Sequence, residues 1–200
     1  MADVNGDGRL DLYVSAVSHL TKRGRNMLYI NNGDGTFTDR ASAYGVAHAG
    51  YSTQAAFFDY DGDGDLDLFL LSHSTHTERA IGNATRRDVR NSRAGGRLYR
   101  NDGNRFVDVS ADAGIFGGID GYGLGLVVSD LNVDGCPDVY VANDFQEQDF
   151  LYYNDCRKRF TESITRATGH TSRFSMGVDA ADVNNDGLPD IVFGDMLPER

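Results

Sequence analysis

The sequence predicts an all-β chain forming a partial β-propeller, with about three to four four-stranded blades in its 200 residues. Three observations carry that expectation. A nine-residue Asp-rich loop recurs four times, each copy running straight into a short apolar segment rich in β-formers. A hairpin signature, Leu-Tyr-x-Asn followed by turn formers and a Phe, recurs three times. The distance from each Leu-Tyr to the next loop is nearly constant at 31, 32 and 31 residues. A repeat of about 50 residues with four short strands has the dimensions of a propeller blade, which must stack on its neighbours to bury its faces.

The most acidic loop runs from Asp59 through Asp61, Asp63 and Asp65 to Asp67, five carboxylates in nine residues. Charges so crowded repel one another unless a cation sits among them. The acids at positions 1, 3, 5 and 9, with Gly64 at position 6 for a sharp turn, supply the hard oxygen ligands that Ca²⁺ prefers. The same pattern recurs as Asp3, Asn5, Asp7, Gly8, Asp11, as Asp130, Asn132, Asp134, Gly135, Asp138, and as Asp182, Asn184, Asp186, Gly187, Asp190. Position 7, filled by Arg9, Asp65, Cys136 and Leu188, is expected to lend a backbone carbonyl. An EF-hand is excluded, because its bidentate Glu at position 12 is replaced by Val14, Leu70, Val141 and Phe193. Asp, Asn and Gly also make ordinary turns, which would explain one copy. Four copies, each closed by Asp, predict up to four calcium sites.

With strand A before each loop, B after it, and C and D in the hairpin, the chain is read as BCD, ABCD, ABCD, AB. Strand B is read at Leu12-Tyr13-Val14, Leu68-Phe69-Leu70-Leu71 and Val139-Tyr140-Val141. The hairpins run from Leu28 to Phe37-Thr38-Asp39, from Leu98 to Phe106-Val107-Asp108, and from Leu151 to Phe160-Thr161-Glu162. Strand A is expected at residues 53–58, 124–129 and 174–181. Residues 1–200 are therefore expected to be part of one propeller domain that starts and stops in mid-blade, its remaining blades lying in a longer protein. The first loop, with no full strand A before it, is expected to fray. The second hairpin is one residue short, and the third, Asp155-Cys156-Arg157-Lys158-Arg159, has lost its glycines.

All the length variation falls between strands B and C, and residues 73–97 read as an insertion there. It carries Arg79, Arg86, Arg87, Arg90, Arg93 and Arg97 against only Glu78 and Asp88. In an up-and-down blade the B–C and D–A loops share the face opposite the metal loops. Arg79, Arg86, Arg87, Arg90 and Arg93, with Asp144, form a candidate ligand face suited to an anionic ligand such as an acidic glycan, the alternative being a solvated loop. Asn83-Ala84-Thr85 is a glycosylation sequon.

The net charge of −11 carries no message about nucleic acid, since thirteen of the acids stand at loop positions 1, 3, 5 and 9. No stretch approaches the roughly 20 apolar residues of a membrane span. Cys136 at position 7 and Cys156 in the following hairpin belong to one repeat. The start of strand B and the end of strand C meet at one edge of an antiparallel blade, so a disulfide between the two is expected, and with it an oxidising compartment. Catalytic patterns are thin. His73 and His76 lack a companion acid at a metal-site spacing, and His170 lies in a D–A connection.

The loops, the Leu-Tyr-x-Asn strand and the Gly33-Asp34-Gly35-Thr36-Phe37 hairpin resemble the FG-GAP/VCBS repeats of integrin-alpha-like propellers. Leu70-Leu71-Ser72-His73-Ser74, Val141-Ala142-Asn143-Asp144-Phe145 and Asp195-Met196-Leu197-Pro198-Glu199 look like secreted proteins that also carry an ASPIC/UnbV domain, relatives of cartilage acidic protein. The resemblance implies a calcium-binding propeller of several hundred residues, exported with a signal segment, and no particular reaction. A non-enzymatic extracellular or cell-surface module is expected, binding a protein or acidic glycan or acting as a scaffold. The rival expectation is a propeller enzyme of polysaccharide lyase or hydrolase type with part of its active site outside these residues. Fold alone does not separate the two.

Overall fold

The computed structural model describes residues 1–75, 87–103, 105–145 and 147–196. His76, Arg79, Asn83, Arg86 and the closing Leu197-Pro198-Glu199 lie outside the described residues.

Four antiparallel sheets follow one another along the chain. The first holds β1 (Leu12–Val14), β2 (Met27–Asn31) and β3 (Phe37–Asp39). The second holds β4 (Ser52–Phe58), β5 (Asp67–Ser72), β6 (Arg97–Asn101) and β7 (Phe106–Asp108). The third repeats it with β8 (Gly123–Ser129), β9 (Asp138–Asn143), β10 (Phe150–Asn154) and β11 (Phe160–Glu162). The last pairs β12 (Ser175–Ala181) with β13 (Asp190–Asp195). This is the BCD, ABCD, ABCD, AB order, and we call the sheets blades 1 to 4. Each strand A begins with a bulge in the same place, after Ser52, Gly123 and Ser175.

Alternation along strand B explains why the sheets stack. Every residue of β5 is buried, with Leu68 and Leu70 packing into a core shared with blade 1, and Phe69 and Leu71 into a core shared with blade 3. In β9, Val139 and Val141 face blade 2, while Tyr140 and Ala142 face blade 4. A strand apolar on both faces is stable only between two neighbours. The A strands lie side by side. Thr53 Oγ1 donates to the Gly123 carbonyl at 2.9 Å, and a Cβ on Gly125 would meet Gly177 Cα at 2.9 Å, so this closeness requires glycine.

Two short helices were not legible as such. α1 (Ala41–Tyr44) and α2 (Ile164–Thr168) follow strands β3 and β11, each ending on a left-handed glycine, Gly45 or Gly169. Both fall in D–A connections, where Ala41 or Ile164 plugs the core. Among the described residues no helix is long and apolar enough to cross a membrane.

Candidate metal centre

The four Asp-rich loops share one hydrogen-bond skeleton. The carboxylate at position 1 accepts the backbone N–H groups of positions 5 and 6: from Asp7 and Gly8 to Asp3, Asp63 and Gly64 to Asp59, Asp134 and Gly135 to Asp130, and Asp186 and Gly187 to Asp182. The position 5 carboxylate accepts the N–H of position 7, from Arg9, Asp65, Cys136 and Leu188. Position 6 is a left-handed glycine in every copy, with φ of 82°, 92°, 92° and 85°. Position 4 is left-handed too, and there the chain spends Val133 and Asn185 as well as Gly6 and Gly62. A β-branched residue such as Val133 takes that conformation only when its surroundings impose it.

Position 9 does a second job. Asp11, Asp67 and Asp138 are buried, and each accepts the N–H of position 2 on one oxygen and that of the Leu-Tyr-x-Asn asparagine on the other. The donors are Val4 and Asn31 to Asp11, Tyr60 and Asn101 to Asp67, and Leu131 and Asn154 to Asp138, at 2.8–3.1 Å. One carboxylate thus bolts the loop to the hairpin of its own blade. The asparagine side chain then reaches backwards. Asn101 Nδ2 donates to the Val4 carbonyl at 3.2 Å, and Asn154 Nδ2 to the Tyr60 carbonyl at 2.8 Å, each in the preceding blade. The first loop has the same bonds, and Ala2 pairs with Asp11 through two backbone hydrogen bonds. One rung of pairing thus stands ahead of the first loop.

The second loop differs where its sequence differs. In the first and third loops the position 3 asparagine donates to the position 5 carboxylate, Asn5 to Asp7 at 3.1 Å and Asn132 to Asp134 at 2.9 Å. Asp61 lacks the side-chain amide that donates in those two loops. Its carboxylate, with Asp59 and Asp67, forms a group in which one oxygen from each residue lies within 4.8 Å of the other two. Asp61 Oδ1 is buried without a hydrogen-bond partner among the described residues. Burial raises the Asp67 carboxyl to about 7, with the neighbouring charges of Asp61 and Asp63 adding to it. Asp138 is raised in the same direction, again chiefly by burial. Three crowded carboxylates with an orphaned buried oxygen fit a hard cation, and the donor set is all oxygen. Asp59, Asp61 and Asp67 would hold it, with Asp63 beside them.

Cys136 and Cys156 are joined in a disulfide with a Cα separation of 5.7 Å. The same two positions face each other in blade 1, where a Cβ on Gly33 would meet the Arg9 side chain at 3.3–3.4 Å. Cys156 keeps the left-handed backbone of the glycine it replaces, φ 56° against 83° at Gly33. With its sulfur in the disulfide, Cys136 would have only its backbone carbonyl to offer a cation.

The repeat family described as FG-GAP-like repeat matches residues 3–70 and 130–193, which is more than half of the chain. The chain belongs to the FG-GAP-like repeat family. No curated protein matches it. Among solved structures it is similar to the Bacillus licheniformis rhamnogalacturonan lyase PL11, at 20% sequence identity with a TM-score of 0.50, over 96% of this chain and 38% of that one. At that identity the likeness concerns fold alone.

On the opposite face of the FG-GAP blades the B–C and D–A connections of blade 2 meet through Asn91 N–H to the Gly117 carbonyl at 2.7 Å and Gly96 N–H to the Phe116 carbonyl at 3.1 Å. Arg87, Arg90 and Arg93 are engaged there. Arg87 forms a two-point ion pair with the buried Glu147 and lies over the Phe150 ring. Arg90 donates to the Ile115 and Gly96 carbonyls, and Arg93 lies over the Tyr51 ring. Asp144 is buried and accepts the Phe145 N–H. Sequence reading missed Glu147, whose only signal is its place in the connection facing Arg87.

Proposed function

We propose that this chain is a calcium-stapled array of FG-GAP blades from an extracellular or cell-surface protein, one that binds a ligand or serves as a scaffold and performs no reaction of its own. The observation that carries the calcium reading is the Asp59, Asp61, Asp67 cluster with its orphaned buried oxygen. The shared skeleton of the other loops extends it to Asp3, Asn5, Asp7 and Asp11, to Asp130, Asn132, Asp134 and Asp138, and to Asp182, Asn184, Asp186 and Asp190. The disulfide supports an oxidising compartment and so export. The B–C and D–A loops are the face on which a ligand would be met, and their described arginines are held by internal partners that keep those loops in place.

Calcium in such a site lies on the folded side of the folding equilibrium and stabilises by RT ln(1 + c/Kd) at free calcium concentration c. Titration calorimetry on chelator-stripped protein should show heat with Ca²⁺ in the affinity range of extracellular modules, roughly 10⁻⁴ to 10⁻³ M. The melting temperature should fall on chelation. No heat and an unmoved melting temperature would remove the reading.

A further inference from the structure

Between blades 2 and 3, on the face away from the Asp-rich loops, a narrow pocket has room for one water-sized atom or ion. Its apolar wall is made by rings, among them Phe69, Phe116 and Tyr152. Its polar wall is made by Ser72, Asp120 and Asn143. These three are 0%, 6% and 1% exposed, and Ser72 Oγ, Asp120 Oδ1 and Asn143 Oδ1 have no hydrogen-bond partner among the described residues. The Asn143 amide is oriented by its own nitrogen, which donates to the Gln148 carbonyl at 2.8 Å and leaves the oxygen for the pocket.

The three oxygens come from three separate stretches. Ser72 and Asn143 end the B strands of adjacent blades, each paired with the first residue of its strand A, Ser52 or Gly123. Asp120 belongs to the D–A connection joining those blades. Arg87 and Glu147 also line the pocket and neutralise each other, which leaves Asp120 as the charge without an ion-pair partner among the described lining residues. A carboxylate so buried is costly unless a cation meets it. A single water could accept from the Ser72 hydroxyl and donate to Asp120 and Asn143, but it carries no charge and so leaves the Asp120 carboxylate without a counter-ion.

We propose that this junction holds a calcium ion, bound by the Asp120 carboxylate, the Asn143 amide oxygen and the Ser72 hydroxyl. The donors are hard oxygens without nitrogen or sulfur, the set that suits such an ion. The site is independent of the Asp-rich loops and clamps two blades at their other end.

The test is anomalous diffraction from crystals of the chain grown in Ca²⁺ and exchanged with Tb³⁺. Supporting the proposal are a peak with oxygen ligands at about 2.3–2.6 Å from Asp120, Asn143 and Ser72, and its loss in Asp120→Asn while peaks at the Asp-rich loops persist. Equilibrium dialysis should then show one fewer calcium bound by Asp120→Asn than by the parent chain. The parent crystal decides the matter even if the variant fails to fold. Ordered water alone, an organic molecule in the density, or sodium that calcium does not displace would each overturn it. Loss of the loop peaks with the junction peak retained would instead count against the loop sites.

Discussion

The Lys158 ammonium crosses from blade 3 to blade 2 and sits 2.8 Å from Asp61 Oδ2. The lysine is half exposed and the Asp61 side chain fully covered, 53% against 0%. Lys158 stands in the third hairpin where the first has Gly35, and it keeps a left-handed φ of 75°. The chain thus accepts an unfavourable backbone conformation to place a cation beside the one loop whose position 3 is a carboxylate.

Lys158 should therefore compete with calcium at the second loop. Lys158→Met is expected to tighten calcium binding there by about 3- to 10-fold, the range in which a partly screened charge acts. It should also lower the melting temperature of the chelated protein, which loses its internal cation. Calorimetry of the two proteins at equal ionic strength checks both, and equal affinities would exclude the competition.

The position 9 aspartates should matter without any metal. Asp138→Ala leaves the N–H groups of Leu131 and Asn154 unpaired in a buried place, at about 1–3 kcal/mol for each group. Urea unfolding in excess chelator should show a loss of that size. Asp134→Ala, whose carboxylate is solvent-facing, should cost far less in chelator and act mainly on calcium binding.

Acid dependence follows from Asp67. Its folded pKa of about 7 lies above the ordinary 3.8, so the folded chain holds a proton that the unfolded chain releases. Stability of the chelated protein should be fully present below about pH 4 as far as this group is concerned, and should be lost as pH rises towards 7. Asp138 and Asp149, also raised by burial, act in the same direction. Asp3 and Asp182, lowered chiefly by the Gly8 and Gly187 N–H groups, act oppositely at the acid end. Calcium needs the carboxylate form, so binding at pH 6 should expel protons. Calorimetry in buffers of different ionisation enthalpy measures that release, and heats independent of buffer would refute it.

Reduction should weaken the third blade. The disulfide closes a loop of sequence separation 20, worth about 3 kcal/mol in the chain-entropy estimate. Cys136→Ser with Cys156→Gly should lose slightly less, because glycine relaxes the left-handed backbone at that position. Alkylation of the native, unreduced chain followed by mass spectrometry should find both sulfurs protected.

The strand order and the blade repeat were legible because the apolar alternation, the turn residues and the Asp-rich loops all recur at fixed spacing. The disulfide was legible because antiparallel pairing brings positions 136 and 156 to one edge. The double use of Asp11, Asp67 and Asp138 was not, since a ligand pattern read along one strand says nothing about which hairpin N–H groups meet it. Lys158 read as a departure from the glycine pattern, and its partner lies in another blade. Ser72, Asp120 and Asn143 carry no shared motif, and only packing brings them to one pocket. The basic insertion read as either a candidate ligand face or a solvated loop, and the partners of Arg87, Arg90 and Arg93, a carboxylate, two carbonyls and a ring, are ones that composition cannot reveal.

The backward reach of the asparagines gives the chain a direction in time. The bond from Asn101 to Val4 spans 97 residues, that from Asn154 to Tyr60 spans 94, and Lys158 reaches Asp61 across 97. During synthesis from the N-terminus, a loop would therefore be made well before the residues that fasten it. Each new hairpin would lock the blade behind it, and the newest loop would remain the one most open to exchange with its surroundings.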